Sequence, residues 1–169
     1  MQILYLIMWW NRSDDKMAMY KDFVKDFAER TKENYKIIKE YNGFDVTQLL
    51  NSAVALLIIP KEKEYNKILS NPQISNAIDK KIMTDIYSSI SKTYYNVPPE
   101  SLTLVEIVNH LRNGISHGHV EMLPKNAIEI EKINIKDKKG KEQFSITLSI
   151  QLLKNFFWKF SEAVAQYCK

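Results

Sequence analysis

The amino-acid sequence predicts a mainly α-helical protein, a bundle of about five helices with one β-hairpin inserted before the last helix. Three observations predict it. Apolar residues recur at three- and four-residue spacing over most of the chain, as they do on helices with one buried face. The period changes to two only in one late stretch, between residues 128 and 150, as it does on half-buried strands. Capping and turn-forming residues fall between these stretches.

The elements follow in order. From Met19 to Tyr41 the positions Tyr20, Phe23, Phe27, Asn34/Tyr35, Ile38 and Tyr41 mark one helical face, with a polar gap at Thr31 and a plausible stop at Gly43. Asp45-Val46-Thr47-Gln48 has the form of a helix start, and the run Leu49–Ile59 is apolar on nearly every side, as a central helix is. Pro60 limits it, and Lys61-Glu62-Lys63-Glu64 reads as a solvated turn. Ile74, Ile78, Ile82, Ile86, Ile90 and Tyr94 keep a strict four-residue spacing, which predicts a third helix over residues 73–94, ended by Asn96-Val97-Pro98-Pro99. Thr103 and Glu106 form a capping box for a fourth helix with the stripe Leu104, Ile107, Val108, Leu111 and Ile115. Gly114 and Gly118 are read as its fraying end. Ile128, Ile130, Ile133 and Ile135 alternate with one slip, as at a bulge, and Phe144, Ile146, Leu148 and Ile150 alternate strictly. Asp137-Lys138-Lys139-Gly140-Lys141 joins the two strands as the hairpin turn. Ser149 caps a last helix that turns Leu152, Leu153, Phe156, Phe157, Phe160 and Val164 inward.

A length of 169 residues fits one domain, taken as residues 17–169. Residues 1–16 are expected to be an N-terminal extension or leader, because the apolar run Ile3–Trp10 is too short to span a bilayer and has no basic residue before it. No membrane association is expected. A single cysteine, Cys168, excludes an intrachain disulfide framework and suits the reducing cytoplasm. A net charge of +4 permits a polyanionic partner without demanding one.

All three histidines, His110, His117 and His119, fall within ten residues, with Arg112 among them. On an ideal helix Glu106, His110, Asn113 and His117 share a polar stripe. A zinc site built from His110 and His117 with His119 or Glu106 is disfavoured, since His119 lies beyond the helix and no cysteine is near, so no metal and no cofactor is expected. A nucleophilic triad finds no strand-elbow serine. The plain alternative is a polar helix face that ends in a histidine, where the helix dipole favours a cation. The chemical alternative is phosphodiester cleavage. That needs a group that moves protons near neutral pH, which is histidine, and a fixed cation for the phosphate, which arginine's fork supplies. Asparagine can orient either.

Arg112-Asn113-x-x-x-His117 at a helix end resembles the signature of the HEPN superfamily (higher eukaryotes and prokaryotes nucleotide-binding). Asp45-Val46-Thr47-Gln48-Leu49-Leu50-Asn51-Ser52 with the apolar run that follows it, and Leu111–Gly118 followed by a hairpin, resemble a plasmid- and phage-defence-associated HEPN subfamily over about residues 19–167. The resemblance implies a helical-bundle, metal-independent endoribonuclease that leaves 2′,3′-cyclic phosphate and 5′-hydroxyl ends. It makes Arg112 and His117 catalytic, with Asn113 in support. It also implies RNA as substrate, a toxin or antiphage-defence role, and an antitoxin or regulatory protein as partner. HEPN toxins silenced by nucleotidyl transfer carry tyrosine two residues after the histidine; here that residue is His119, which speaks against that regulation. Glu106, His110 and His119 are added as supporting candidates from their position on the helix, and Lys138, Lys139 and Lys141 as candidate RNA contacts. Arg112 and His117 are about 140° apart on an ideal helix, too far to aim at one phosphate, so a homodimer with a composite site is expected. The rival reading is a non-catalytic HEPN module that binds RNA, a nucleotide or a protein.

Overall fold

The computed structural model describes residues 29–31, 33–37, 45–58, 70–126 and 129–167. Residues 29–31 and 33–37 are helical, and Thr31 and Tyr35 turn inward from them. The helix expected from Met19 is thus seen in its second half. Its remaining positions, the 1–16 extension, Gly43, the 61–64 turn and Cys168 lie outside the described residues.

The first labelled helix, α1 (Asp45–Ile58), begins where the sequence placed it and buries Leu49 and Ala53. The single helix expected over 73–94 is instead three elements: α2 (Pro72–Ala77), α3 (Lys80–Ser89) and a short strand β1 (Ile90–Lys92). Side chains that compete with the helix for backbone partners explain the breaks. Asp79 Oδ1 accepts from Lys81 N–H at 2.7 Å and starts α3 afresh. The Ser88 and Ser89 hydroxyls both donate to Asp85 O, at 2.9 and 2.6 Å, and the chain leaves the helix directly after them. The isoleucine spacing survives the breaks: Ile74, Ile78, Ile86 and Ile90 are all buried. Two single 3₁₀ turns, Tyr94–Asn96 and Pro99–Ser101, follow.

The capping box of α4 (Leu104–Ser116) is present in full. Glu106 N–H donates to Thr103 Oγ1 at 3.3 Å, and Thr103 N–H donates back to Glu106 Oε2 at 2.7 Å. At the other end Gly118 N–H donates to Ile115 O and His119 N–H to Gly114 O, the paired bonds of a Schellman motif, with Gly118 at φ 68°. Gly118 therefore closes the helix. Gly114 does something else: it is buried inside α4, and a β-carbon there would stand 2.5 Å from Ile135 Cγ2 and 2.8 Å from Lys136 O. It lets the helix lie against a strand, so the expectation of fraying at Gly114 is corrected.

The strands form more than the expected hairpin. β2 (Val120–Pro124), β3 (Ile130–Lys139) and β4 (Glu142–Ser149) join β1 in a four-stranded antiparallel sheet of order β1-β4-β3-β2. The slip in the isoleucine pattern appears as a register shift opposite Leu123 and Pro124. The turn is tighter than expected: Lys139 pairs with Glu142, leaving Gly140 and Lys141 between the strands, with Gly140 at φ 62°. β2 escaped the sequence reading because its burial does not alternate, and β1 because three residues carry no period.

One face of the sheet carries Ile133, Ile135, Phe144, Ile146 and Leu148, all fully buried. α4 packs on β3 from this side, and α5 (Ile150–Tyr167) contacts β3 and β4 and buries Leu153, Phe156, Phe157 and Phe160. Ser149 Oγ accepts from Leu152 N–H at 3.1 Å, the cap expected for α5. Among the described residues no helix is long and apolar enough to cross a membrane.

Candidate functional site

The motif residues sit on the half of α4 that lies over β3. His110 and Asn113, one turn apart on the helix, both face this strand. The ring Nδ1 of His110 donates to Asp137 Oδ2 at 2.8 Å, and Asn113 Nδ2 donates to the same oxygen at 3.2 Å. Asp137 is 6% exposed. Its buried charge is matched by two donors from the helix, which is the condition under which a buried carboxylate is tolerated. The His110 ring stacks on Phe144, centroids 4.3 Å apart at 13°, and meets Tyr94 edge-on at 4.8 Å and 78°. Burial, and after it the charge of Asp137, pushes the Tyr94 phenol up to about 12, so Tyr94 stays neutral at any working pH.

The sequence reading placed Asp137 in the hairpin turn. The structure places it in β3, opposite Phe144. Asp137, Tyr94 and Phe144 are the site residues that sequence reasoning missed. One signal pointed to the first of them: Asp137 keeps the odd-numbered phase of Ile133 and Ile135, so a strand extended by two residues turns its carboxylate inward.

His117 caps the C-terminus of α4. Its N–H donates to Asn113 O at 3.0 Å, and its side chain is exposed. His119, also exposed, has its ring 6.1 Å from that of His117. Arg112 is half-buried on the flank of the helix. The helix therefore brings Asn113 and His110 together on Asp137, and leaves His117 and His119 side by side in solvent. Glu106 has its hydrogen bonds with Thr103, which favour its charged form, as does His110 one turn further along α4. Its carboxylate is held below the usual range by the Thr103 N–H and hydroxyl, which is the work of a cap. Lys138, Lys139 and Lys141 are exposed at the hairpin end. Among the described residues no three of histidine, cysteine, aspartate and glutamate are grouped as a metal site would require.

Over residues 17–168 the chain matches a family model described as HEPN pEK499 p136. The chain belongs to that HEPN family. Membership points to an RNase-type or nucleotide-binding module, carried here on a helical fold with a four-stranded sheet. No curated protein and no solved structure matches the chain. In this HEPN domain, Arg112-Asn113-x-x-x-His117 spans the last turns of α4 and its cap, with Gly114 between them against β3.

Proposed function

We propose that the chain is a metal-independent HEPN endoribonuclease that works as a homodimer. The observation that carries this reading is the contrast along the motif. Asn113 is anchored to the sheet through Asp137, whereas His117 caps the helix in solvent, where a substrate can reach it. In the proposed step His117 takes the proton of a ribose 2′-hydroxyl, which attacks the adjacent phosphate. Arg112 balances the charge that gathers on the phosphorane-like transition state. The bond from phosphorus to the 5′-oxygen breaks, and that oxygen takes a proton from the protonated His117 or from water, giving 2′,3′-cyclic phosphate and 5′-hydroxyl ends. Arg112 and His117 leave α4 in different directions, and a two-fold pairing of α4 with that of a second copy would bring both pairs to one cleft. A toxin or antiphage-defence role, held in check by an antitoxin or regulatory protein in the cytoplasm, fits the defence-associated subfamily that the sequence resembles.

The test is cleavage of a mixed RNA pool in EDTA by the wild-type chain, Arg112→Ala and His117→Ala, with end-group analysis and with DNA and 2′-O-methyl RNA as controls. Wild type is expected to cut RNA alone, both variants to be inactive, and specific activity to fall faster than linearly on dilution. Activity that requires added metal, or cutting of DNA, overturns the mechanism. RNA or nucleotide binding without cleavage assigns the chain to the non-catalytic HEPN modules.

A further inference from the structure

Tyr94 and Tyr95 are neighbours in sequence and opposites in surroundings. Tyr94 turns onto His110, while Tyr95 is 78% exposed. The backbone makes this possible at a cost. Tyr95 sits at φ 56°, ψ 19° and Asn96 at φ 52°. This is the left-handed region, where glycine or asparagine is accommodated more readily than a bulky side chain. Such conformations persist where the surroundings hold them, and they concentrate at functional sites. Here Tyr95 N–H donates to Glu142 Oε2 at 3.0 Å, and Thr93 Oγ1 donates across the turn to Val97 O at 2.6 Å. The inward tyrosine is explained by packing. Packing gives no reason for an aromatic ring at the outward position.

Its position supplies one. Glu142 begins β4 and pairs with Lys139, so the exposed ring lies at the end of the sheet where Lys138, Lys139 and Lys141 project into solvent. A solvent-facing aromatic face beside several cations is the combination that binds an unpaired nucleotide: the ring stacks on the base and the cations hold the phosphates. We infer that Tyr95 is a stacking platform for an unpaired RNA base, with Lys138, Lys139 and Lys141 at the β3–β4 end of the sheet holding the flanking phosphates. The inference rests on the reading of the chain as RNA-acting and deepens it by naming the form of the substrate, single-stranded rather than duplex. Tyr94 ties the platform to the motif helix through His110, which lies seven residues, about 10 Å, along α4 from His117. The platform therefore recognises a nucleotide away from the reacting bond and takes no part in the chemistry.

The experiment measures affinity of the full chain for an oligoribonucleotide made uncleavable by 2′-O-methylation, for its duplex, and for the same strand lacking bases. The wild-type chain is expected to prefer the single strand. Tyr95→Gly is expected to lose about ten-fold in affinity for it, the worth of one stacked base, and Tyr95→Trp to retain it. Wild type and Tyr95→Gly should bind the abasic strand alike. Glycine suits the left-handed backbone, so Tyr95→Gly should melt no lower than wild type, which separates lost stacking from lost folding. Replacing Lys138, Lys139 and Lys141 with serine should reduce the salt slope of binding by about 2, at roughly 0.7 per phosphate contact. Equal affinity of Tyr95→Gly and wild type for the single strand, no preference over the abasic strand, or no RNA binding at all overturns the inference. The cleavage reading is scored separately with His117→Ala, which should keep Tyr95-dependent binding. If the wild-type chain cuts nothing yet binds through Tyr95, the catalytic reading falls and the platform stands. If it cuts and Tyr95→Gly binds and cuts equally well, the platform alone falls.

Discussion

His110 and His117 are two turns apart on one helix, and the protein treats them in opposite ways. His110 is enclosed: Phe144 stacks on its face, Tyr94 packs against it at a near-right angle, and Asp137 accepts a hydrogen bond from its Nδ1. His117 is at the exposed end of the same helix, with its neighbour in chain, Gly118, turned into the left-handed cap. The difference teaches that histidines clustered in sequence need not form one cluster in space or share one task. A ring packed on three sides can fix a helix against a sheet. A ring in solvent can exchange protons with a substrate.

That contrast can be broken most sharply by removing each ring in turn. His117→Ala is expected to lower the RNA cleavage rate by about 10²–10⁴-fold and leave the melting temperature unchanged. His110→Ala should do the reverse in character. It leaves the Asp137 carboxylate buried with one donor fewer, at a cost of about 3 kcal/mol, read in a thermal melt as a fall of about 6–12 °C. If His117→Ala unfolds the protein, or His110→Ala abolishes cleavage without touching stability, the division of labour drawn between the two rings is wrong.

The seat of the helix is tested next. Gly114→Ala sets a methyl group against the Ile135 side chain and the Lys136 backbone carbonyl. The side chain can turn aside but the strand carbonyl cannot, so the substitution should cost about 2–3 kcal/mol, with His110 and Asn113 pushed away from Asp137. A melt equal to that of wild type would show that α4 can rise off β3 freely, and would loosen the whole account of the site.

The smallest effect belongs to the far end of the helix. Glu106→Ala removes the reciprocal half of the capping box and should cost about 1 kcal/mol in denaturant unfolding at neutral pH, with cleavage unchanged. The Glu106 carboxyl is held below its ordinary range by Thr103. Its contribution is therefore complete at pH values above that range and disappears as the pH falls through the lowered value. Wild type and variant should converge in stability on acidification. Divergence there would mean that Glu106 does more than cap.

The parts of the fold carried by long periodic stretches were legible in the sequence. The capping box at Thr103, the stripe from Leu104 to Ile115, the inward alternation of Phe144, Ile146 and Leu148, and the α5 cap at Ser149 all have a local physical cause that a reader of residues can see. What stayed hidden was tertiary. The strict spacing from Ile74 to Ile90 reads as one helix because a buried residue every fourth position also suits two helices and a strand packed on the same core; the bonds of Asp79, Ser88 and Ser89 decided against it. Asp137 has the composition of a turn, among lysines and near Gly140; its phase with Ile133 and Ile135 hints that the strand continues, and its partners on α4 show what the continued strand is for. The motif at Arg112, Asn113 and His117 was visible as a pattern. The floor that holds Asn113 was not, because it arrives 24 residues later in the chain.

That order of arrival has a consequence for synthesis. A ribosome adding about 5–20 residues per second releases α4 before either strand of the hairpin it rests on. Until Lys136 and Asp137 have followed, Gly114 has no strand to lie against and Asn113 has no carboxylate to hold it. Phe144, the plate beneath His110, comes later still. The unfinished chain thus carries every letter of the motif without the surface that orders it, and the site is completed only once synthesis has passed Phe144.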